Sequence, residues 1–187
     1  MPEKQYYVAC LDLSGRSVLV VGGGAVAVQK ARSLLECGAH ITVVAPHATT
    51  ELRELDVTWL DRPYEPADLA GHFLVVAATD DSALQRRVFA DAEAQAVLCN
   101  VPDVPELCSF ILPAVHRDGP IAIAVSTGGA SPALAQRLRD EFADAVGPKH
   151  VELAERLREL RPAAKERFAT YEERRAYFQT LVEEALG

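Results

Sequence analysis

Through the first hundred residues, continuous apolar runs alternate with stretches of helical periodicity. Ser17-Val18-Leu19-Val20-Val21 is apolar at successive positions and rich in β-branched residues. Such a run predicts a strand buried on both faces of a parallel sheet. Gly22-Gly23-Gly24 follows directly. A helical pattern then runs from Ala25 to about Cys37, with Val28, Ala31, Leu34 and Leu35 on one side and Gly38 past its end. Residues 41–44 form the next strand, closing a β–α–β unit whose crossover is expected to be right-handed.

The alternation continues. Val57–Leu60 reads as a short strand, residues 65–69 as one helical turn with Pro66 near its start, and residues 73–78 as another buried strand. Asp80-Asp81-Ser82 can cap a helix reaching to about Ala94, and residues 96–99 read as a fifth strand. After residue 100 the pattern changes. Phe110-Ile111-Leu112 and residues 121–125 flank Arg117-Asp118-Gly119-Pro120 and are expected to pair as antiparallel strands around that turn. Ser131-Pro132 opens a helix carrying Leu134, Leu138 and Phe142 four apart. Gly147-Pro148 breaks the chain, and the rest is expected to be helical with one interruption at Pro162. The fold class is α/β: a Rossmann-like parallel sheet, then a small strand–helix segment, then a helical C-terminal domain. The boundaries are 1–113, 114–147 and 148–187.

Composition narrows the class. The 187 residues carry 19 Lys+Arg against 27 Asp+Glu, a formal net charge of -8. That balance argues against a general nucleic-acid binder or an anionic-membrane binder, both of which need basic surfaces. Cys10, Cys37, Cys99 and Cys108 are scattered with no C-x-x-C pair, poor spacing for zinc or for a disulfide framework. Buried thiols in a reducing compartment are expected. No run reaches the ~18 apolar residues of a membrane span. Met1-Pro2-Glu3-Lys4-Gln5 lacks the apolar stretch of a signal peptide, so a soluble cytoplasmic protein is expected.

Candidate chemistry begins at Gly22-x-Gly24-x-x-Ala27, a dinucleotide fingerprint with alanine in the third place. Gly22 permits the tight turn off the strand. Gly24 lets backbone approach a pyrophosphate, and Ala27 lets helix and strand pack closely. The open N–H groups of the helix start then face the anion. The carboxylate that usually ends the second strand and binds a ribose 2′-OH is missing. Ala45-Pro46-His47 stands there, with no neighbouring arginine for a 2′-phosphate, so spacing leaves NAD and NADP both open. Pro46 and His47 either line the adenosine pocket or belong to a solvated loop. Asp103 follows the fifth strand, where ligands sit in open α/β sheets, and reads either as a proton acceptor or as a turn residue between Pro102 and Pro105. In Ser126-Thr127-Gly128-Gly129-Ala130-Ser131-Pro132, hydroxyls and N–H groups can hold a carboxylate, or Ser131 can simply cap the next helix. Arg137 and Arg139 on that helix are candidates for anionic groups of a substrate.

Five segments in order carry a family resemblance: residues 20–27 with Lys30-Ala31, Ala77-Ala78-Thr79-Asp80-Asp81, residues 99–103, residues 105–110, and residues 126–132. On these the chain resembles the precorrin-2 dehydrogenase / sirohydrochlorin ferrochelatase family of sirohaem biosynthesis, including the N-terminal module of fused sirohaem synthases. The resemblance implies NAD-dependent oxidation of precorrin-2 to sirohydrochlorin and, in some members, insertion of Fe²⁺ as substrate. It implies contacts from Ala25, Val26, Pro46, His47 and Thr79 to NAD, alongside Gly22 and Gly24. It places Asp103 on the family's catalytic aspartate and gives no metal-ligand set. Ser126, Thr127, Ser131 and Arg137 are the expected tetrapyrrole-binding residues. A homodimer built through the segment after residue 113 is also implied, with no nucleic-acid or membrane partner. The alternatives are a dehydrogenase served by a separate chelatase, or a non-catalytic NAD-sensing or tetrapyrrole-carrying module.

Overall fold

The computed structural model describes residues 5–187, so the signal-peptide reading at Met1-Pro2-Glu3-Lys4 lies outside the described residues. The chain divides into two compact units, the first ending at Ile111 and the second running from Leu112 to Gly187.

In the first unit, β1 (Ser17–Val21), β2 (His40–Val44), β3 (Val57–Leu60), β4 (Leu74–Ala77) and β5 (Leu98–Asn100) form one parallel sheet in the order β3-β2-β1-β4-β5. The apolar runs are explained by cover on both faces. Val18, Val20, Ile41, Val43, Leu74 and Val76 point to one side, where they meet Ala27, Val28 and Ala31 of α1 (Ala25–Leu35) and Leu52 of α2 (Thr50–Arg53). Leu19, Val21, Val44, Val75, Ala77 and Cys99 point to the other, against Val88 and Ala92 of α3 (Ser82–Ala94) and against Tyr64 and Leu69. Successive strand residues therefore enter different cores, as a period of two requires. Burying each such valine or leucine contributes roughly 1.5–3 kcal/mol. The crossover through α1 moves one way from β1, and that through α3 moves the other way from β4. With a constant hand, the two helices must lie on opposite faces. The chain thus reverses direction between β1 and β4, and a crevice opens at the carboxyl ends of those strands.

The local punctuation acts as the sequence suggested. Asp81 caps α3, its carboxylate accepting from the Ala83 and Leu84 N–H groups. Pro66–Leu69 is a single 3₁₀ turn. It is tied back by Arg62, whose guanidinium donates to both carboxylate oxygens of Asp68. That contact holds the Asp68 carboxyl below its ordinary range, aided by the Glu65 N–H and opposed by burial. The short helix α2, capped by the Thr49 hydroxyl, has no counterpart among the sequence expectations.

In the second unit, β6 (Ala114–Asp118) and β7 (Ile121–Val125) make an antiparallel hairpin, followed by α4 (Pro132–Asp144), α5 (Pro148–Arg167) and α6 (Tyr171–Leu186). Two expectations are corrected here. Phe110-Ile111-Leu112 is not a strand. Asp118 pairs with Ile121 across a two-residue turn, with Gly119 at φ +51, so the partner strand must be counted back from Asp118 to Ala114. Arg117 and Asp118 are ladder residues rather than turn residues. Pro162 does not interrupt its helix, since α5 runs through it. The break falls at residues 168–170 instead. There Thr170 and Glu173 form a reciprocal capping box that starts α6. The ring of Phe168 lies 5.1 Å from that of Tyr177 across the break.

The fifth strand also starts later than expected, at Leu98, because Ala96 adopts φ +55 and ends the preceding turn. Only two cysteines, Cys99 and Cys108, are buried, whereas Cys10 is exposed and Cys37 half-buried. Among the described residues, no helix is long and apolar enough to cross a membrane.

Candidate functional site

The bend after β1 is built from three glycines with three different jobs. Gly22 has φ +122, and a Cβ there would stand 2.1 Å from the Ala78 carbonyl oxygen. Only glycine lets the chain leave β1 while touching the end of β4. Gly23 is as constrained, since its Cβ would lie 1.9 Å from the His47 carbonyl oxygen. Its own carbonyl accepts from the Thr49 N–H at 3.0 Å. Gly23 thus clamps the loop after β2, a role the sequence reading did not assign. The G-G-G run was its only signal.

Gly24 differs. A Cβ there would meet nothing within 4 Å. It occupies the N-cap of α1 with no side-chain cap, and no acidic residue stands in the first turn. The first intrahelical bond is made by the Val28 N–H to the Gly24 carbonyl. The N–H groups of Ala25, Val26 and Ala27 therefore open toward the space beside Gly24, at the positive end of the helix.

A cavity of about 570 Å³ adjoins the bend. Its lining includes Val21, Gly22 and Gly23 at the end of β1, residues 44–47 at the end of β2, and Pro63 and Tyr64 after β3. Thr79 and Asp81 after β4 and Ala83, Leu84 and Arg87 of α3 complete the lining. Of the residues singled out from sequence, Gly22, Pro46, His47 and Thr79 line this one space. Gly24, Ala25 and Val26 stand beside it, at the start of α1. Sequence reasoning missed Tyr64, Leu84 and Arg87. Their place depends on how the loop after β3 and helix α3 come together, and no motif marks that.

Tyr64 is buried, and its hydroxyl donates to Asp91 at 3.1 Å. Burial foremost, then the Asp91 charge, pushes its phenol far above the ordinary range, so it stays neutral. The Arg87 guanidinium lies 5.7 Å from the Tyr64 ring centre. Asp81 is committed to capping α3, and the Thr79 hydroxyl accepts from the Asp81 N–H.

Asp103 does not line the cavity. It lies in the loop after β5, exposed, at φ +64, a left-handed conformation that aspartate adopts more readily than most residues. That loop is closely fastened. Asn100 is buried and donates to the Phe110 carbonyl at 3.1 Å. The Cys108 sulfur accepts from the Val101 N–H and lies 3.2 Å from the Val101 carbonyl. Cys99 and Ser109 share three further bonds: the Ser109 N–H and hydroxyl both donate to the Cys99 carbonyl, and the Cys99 N–H donates to the Ser109 hydroxyl. Burial pushes the Cys99 thiol up to about 12, which keeps it protonated.

Ser126, Thr127, Ser131 and Arg137 belong to the second unit, where each already has a local partner. Ser126 Oγ accepts from the Gly128 N–H, and Ser131 Oγ accepts from the Leu134 N–H as the cap of α4. Thr127 Oγ1 accepts from the Ser131 N–H and donates to its carbonyl. Arg137 pairs with Glu141 and Arg139 with Asp140. Among the described residues, no group of three or more His, Cys, Asp or Glu side chains converges to hold a metal ion.

The residues present fit a dinucleotide. The bend offers unclaimed N–H groups, clear space at Gly24, and an adjoining cavity within the ~300–1,000 Å³ of ligand sites. Fold and cleft together define an NAD(P)-binding α/β domain.

Comparison with known proteins agrees. The family described as putative NAD(P)-binding matches residues 9–114, and that described as sirohaem biosynthesis protein, central, matches residues 118–145. The siroheme synthase of Ectopseudomonas mendocina is 42% identical over 172 residues, 90% of this chain and 37% of that protein. That of Methylobacillus flagellatus is 39% identical over 181 residues, 95% of this chain and 39% of that protein. The chain thus spans somewhat over a third of the length of these relatives. The solved structure of SirC, precorrin-2 dehydrogenase, superposes with a TM-score of 0.77 at 28% identity, covering 95% of this chain and 89% of that one. The chain belongs to the NAD(P)-binding family of precorrin-2 dehydrogenases and sirohaem synthases.

Proposed function

We propose that this chain catalyses the NAD-dependent oxidation of precorrin-2 to sirohydrochlorin. The observation that carries the reading is the open N-terminus of α1 beside Gly24, which gives a pyrophosphate a place next to the cavity. The extent of the likeness to SirC supports the substrate. Gly24, Ala25 and Val26 hold the pyrophosphate through backbone N–H groups, while Gly22, whose own N–H donates to the Val44 carbonyl, makes the tight turn that brings them there. Pro46, His47 and Thr79 enclose the rest of the dinucleotide. NAD⁺ bound there supplies a hydride acceptor.

The oxidation removes a hydride and a proton from the macrocycle. Asp103, as carboxylate, accepts that proton, and its fastened loop limits the reorganisation needed to reach the substrate. Precorrin-2 is rich in carboxylates, and the chain is acidic. Ser126, Thr127, Ser131 and Arg137 supply the local donors that offset the repulsion. Arg137 releases Glu141 to do so, an exchange of one exposed ion pair for another that costs little. We place this activity in a cytoplasmic homodimer. The thiols of Cys99 and Cys108 suit a reducing compartment, and exposed Leu134 and Phe142 on α4 suit a subunit contact.

The test is an anaerobic assay of the purified protein with precorrin-2 and NAD⁺, following NADH and sirohydrochlorin together. Equal formation of both is expected. Neither product forming above the rate without protein would refute the reading.

A further inference from the structure

The cavity adjoins the glycine bend at Gly22 and Gly23, and its lining also includes Pro63 and Tyr64 after β3 and Leu84 and Arg87 of α3, with the Arg87 guanidinium 5.7 Å from the Tyr64 ring centre. A dinucleotide whose pyrophosphate meets the glycine bend can extend one of its two nucleosides, the adenosine, along this lining. What recognises a nucleoside there is unusual. The carboxylate common at the end of the second strand is replaced by Ala45-Pro46-His47. Among the described residues the one acid on the lining is Asp81, whose Oδ1 caps α3. The usual carboxylate acceptor for a ribose hydroxyl is therefore missing from the end of the second strand.

Flat and apolar groups remain, and one of them is charged. Among the described residues, Arg87 is the only Lys or Arg on the cavity wall. Its side chain is 54% exposed, and its Nε stands 3.9 Å from Asp91, too far for a hydrogen bond. Yet it is not loose. It projects from α3, with the Tyr64 ring 5.7 Å from its centre and Asp91 one turn further along the helix. Asp91 in turn fixes the Tyr64 hydroxyl. The guanidinium is thus oriented without being saturated.

We infer that Arg87 is the adenine-facing plate of the cleft, stacking its guanidinium plane on the purine and supplying the affinity that a ribose-binding carboxylate provides elsewhere. This rests on reading the cleft as a dinucleotide site, but not on the identity of the substrate. Tyr64 and Asp91 are positioning residues, holding the guanidinium at the cavity wall. A stacked guanidinium ignores the ribose 2′ position, so the wall treats NADH and NADPH alike.

The test uses Trp59, the only tryptophan in the chain. Its indole N–H donates to the carbonyl of Ala45, a residue of the cavity wall, at 3.0 Å. Its emission overlaps dihydronicotinamide absorption, so bound NADH or NADPH quenches it. Titrations are run on the full chain, on Arg87→Ala and on Arg87→Lys, with thermal unfolding as the check on folding. Arg87→Ala is expected to weaken NADH about five- to thirtyfold, and NADPH by the same factor within about twofold. Arg87→Lys keeps the charge without the plane and is expected to stay at least about threefold weaker than the parent.

Three results would overturn the inference: unchanged NADH affinity in Arg87→Ala, full recovery in Arg87→Lys, or a loss confined to NADPH, which would make Arg87 a phosphate clamp. A parent chain that bound neither nucleotide would remove the dinucleotide reading and this inference together. A parent that bound NADH but left precorrin-2 unoxidised would remove only the proposed reaction.

Discussion

Two places in this chain share one local plan: a strand, glycines, then a helix. At the first, β1 leads through Gly22, Gly23 and Gly24 into α1. At the second, β7 leads through Gly128 and Gly129 into α4. They end in opposite states. The first helix starts at a glycine with no side-chain cap, so its end is open. The second starts at Ser131, whose hydroxyl caps it, and Thr127 closes the loop on Ser131 from both sides. The glycines differ as well. Gly22 and Gly23 are glycine because neighbouring carbonyls leave no room for a Cβ. Gly128 and Gly129 have open space around them and are glycine for their φ of +64 and +92. One bend is packed from below and vacant above, which suits it to a large anion. The other is satisfied within itself, and any ligand there must displace bonds already made.

The largest effect should come from crowding the first bend. Gly22→Ala puts a Cβ against the Ala78 carbonyl at a positive φ. It should lower unfolding free energy by about 3 kcal/mol, seen in denaturant titration. Next, Asp103→Asn should cut precorrin-2 turnover at least about tenfold while NADH affinity holds, because the residue lies off the cavity. Unchanged turnover would remove Asp103 as the base. Smaller still, Ser131→Ala should cost about 1 kcal/mol of stability without touching NADH binding. A clear loss of NADH affinity there would mean that the two bends are not separate in function.

Much of this contrast was readable in advance, because short-range chemistry sets it. β1, the caps at Asp81 and Ser131, and the fingerprint glycines all depend on neighbours within a few residues. What was missed depends on distant ones. Gly23 is required by the His47 carbonyl, and Arg87 lies at the cavity wall because Tyr64 arrives from the loop after β3. Phe110-Ile111-Leu112 looked like a strand by composition, but the two-residue turn at Gly119-Pro120 sets the hairpin register from its other end. At Pro162, one lost hydrogen bond did not outweigh the rest of a long helix, and the Thr170 capping box decided where the break fell.

The smallest expected effect is on the acid limb of stability. Arg62 holds the Asp68 carboxyl below its ordinary value of 3.8 in the folded chain. A depressed carboxyl contributes stability above the unfolded value, and that stability is lost as pH falls through the folded value. Thermal unfolding midpoints should therefore drop as pH falls below about 4. Asp68→Asn should shallow that drop, and an identical acid limb in the variant would remove this pair as a contributor.

The central claim is that the space above Gly24 receives the pyrophosphate of a dinucleotide. Its most direct test is NADH titration of Gly24→Asp by quenching of Trp59. A side chain there meets nothing in the protein, so the variant should melt near the parent, yet bind NADH at least about a hundredfold more weakly. A variant that melted like the parent and bound NADH equally well would contradict the account.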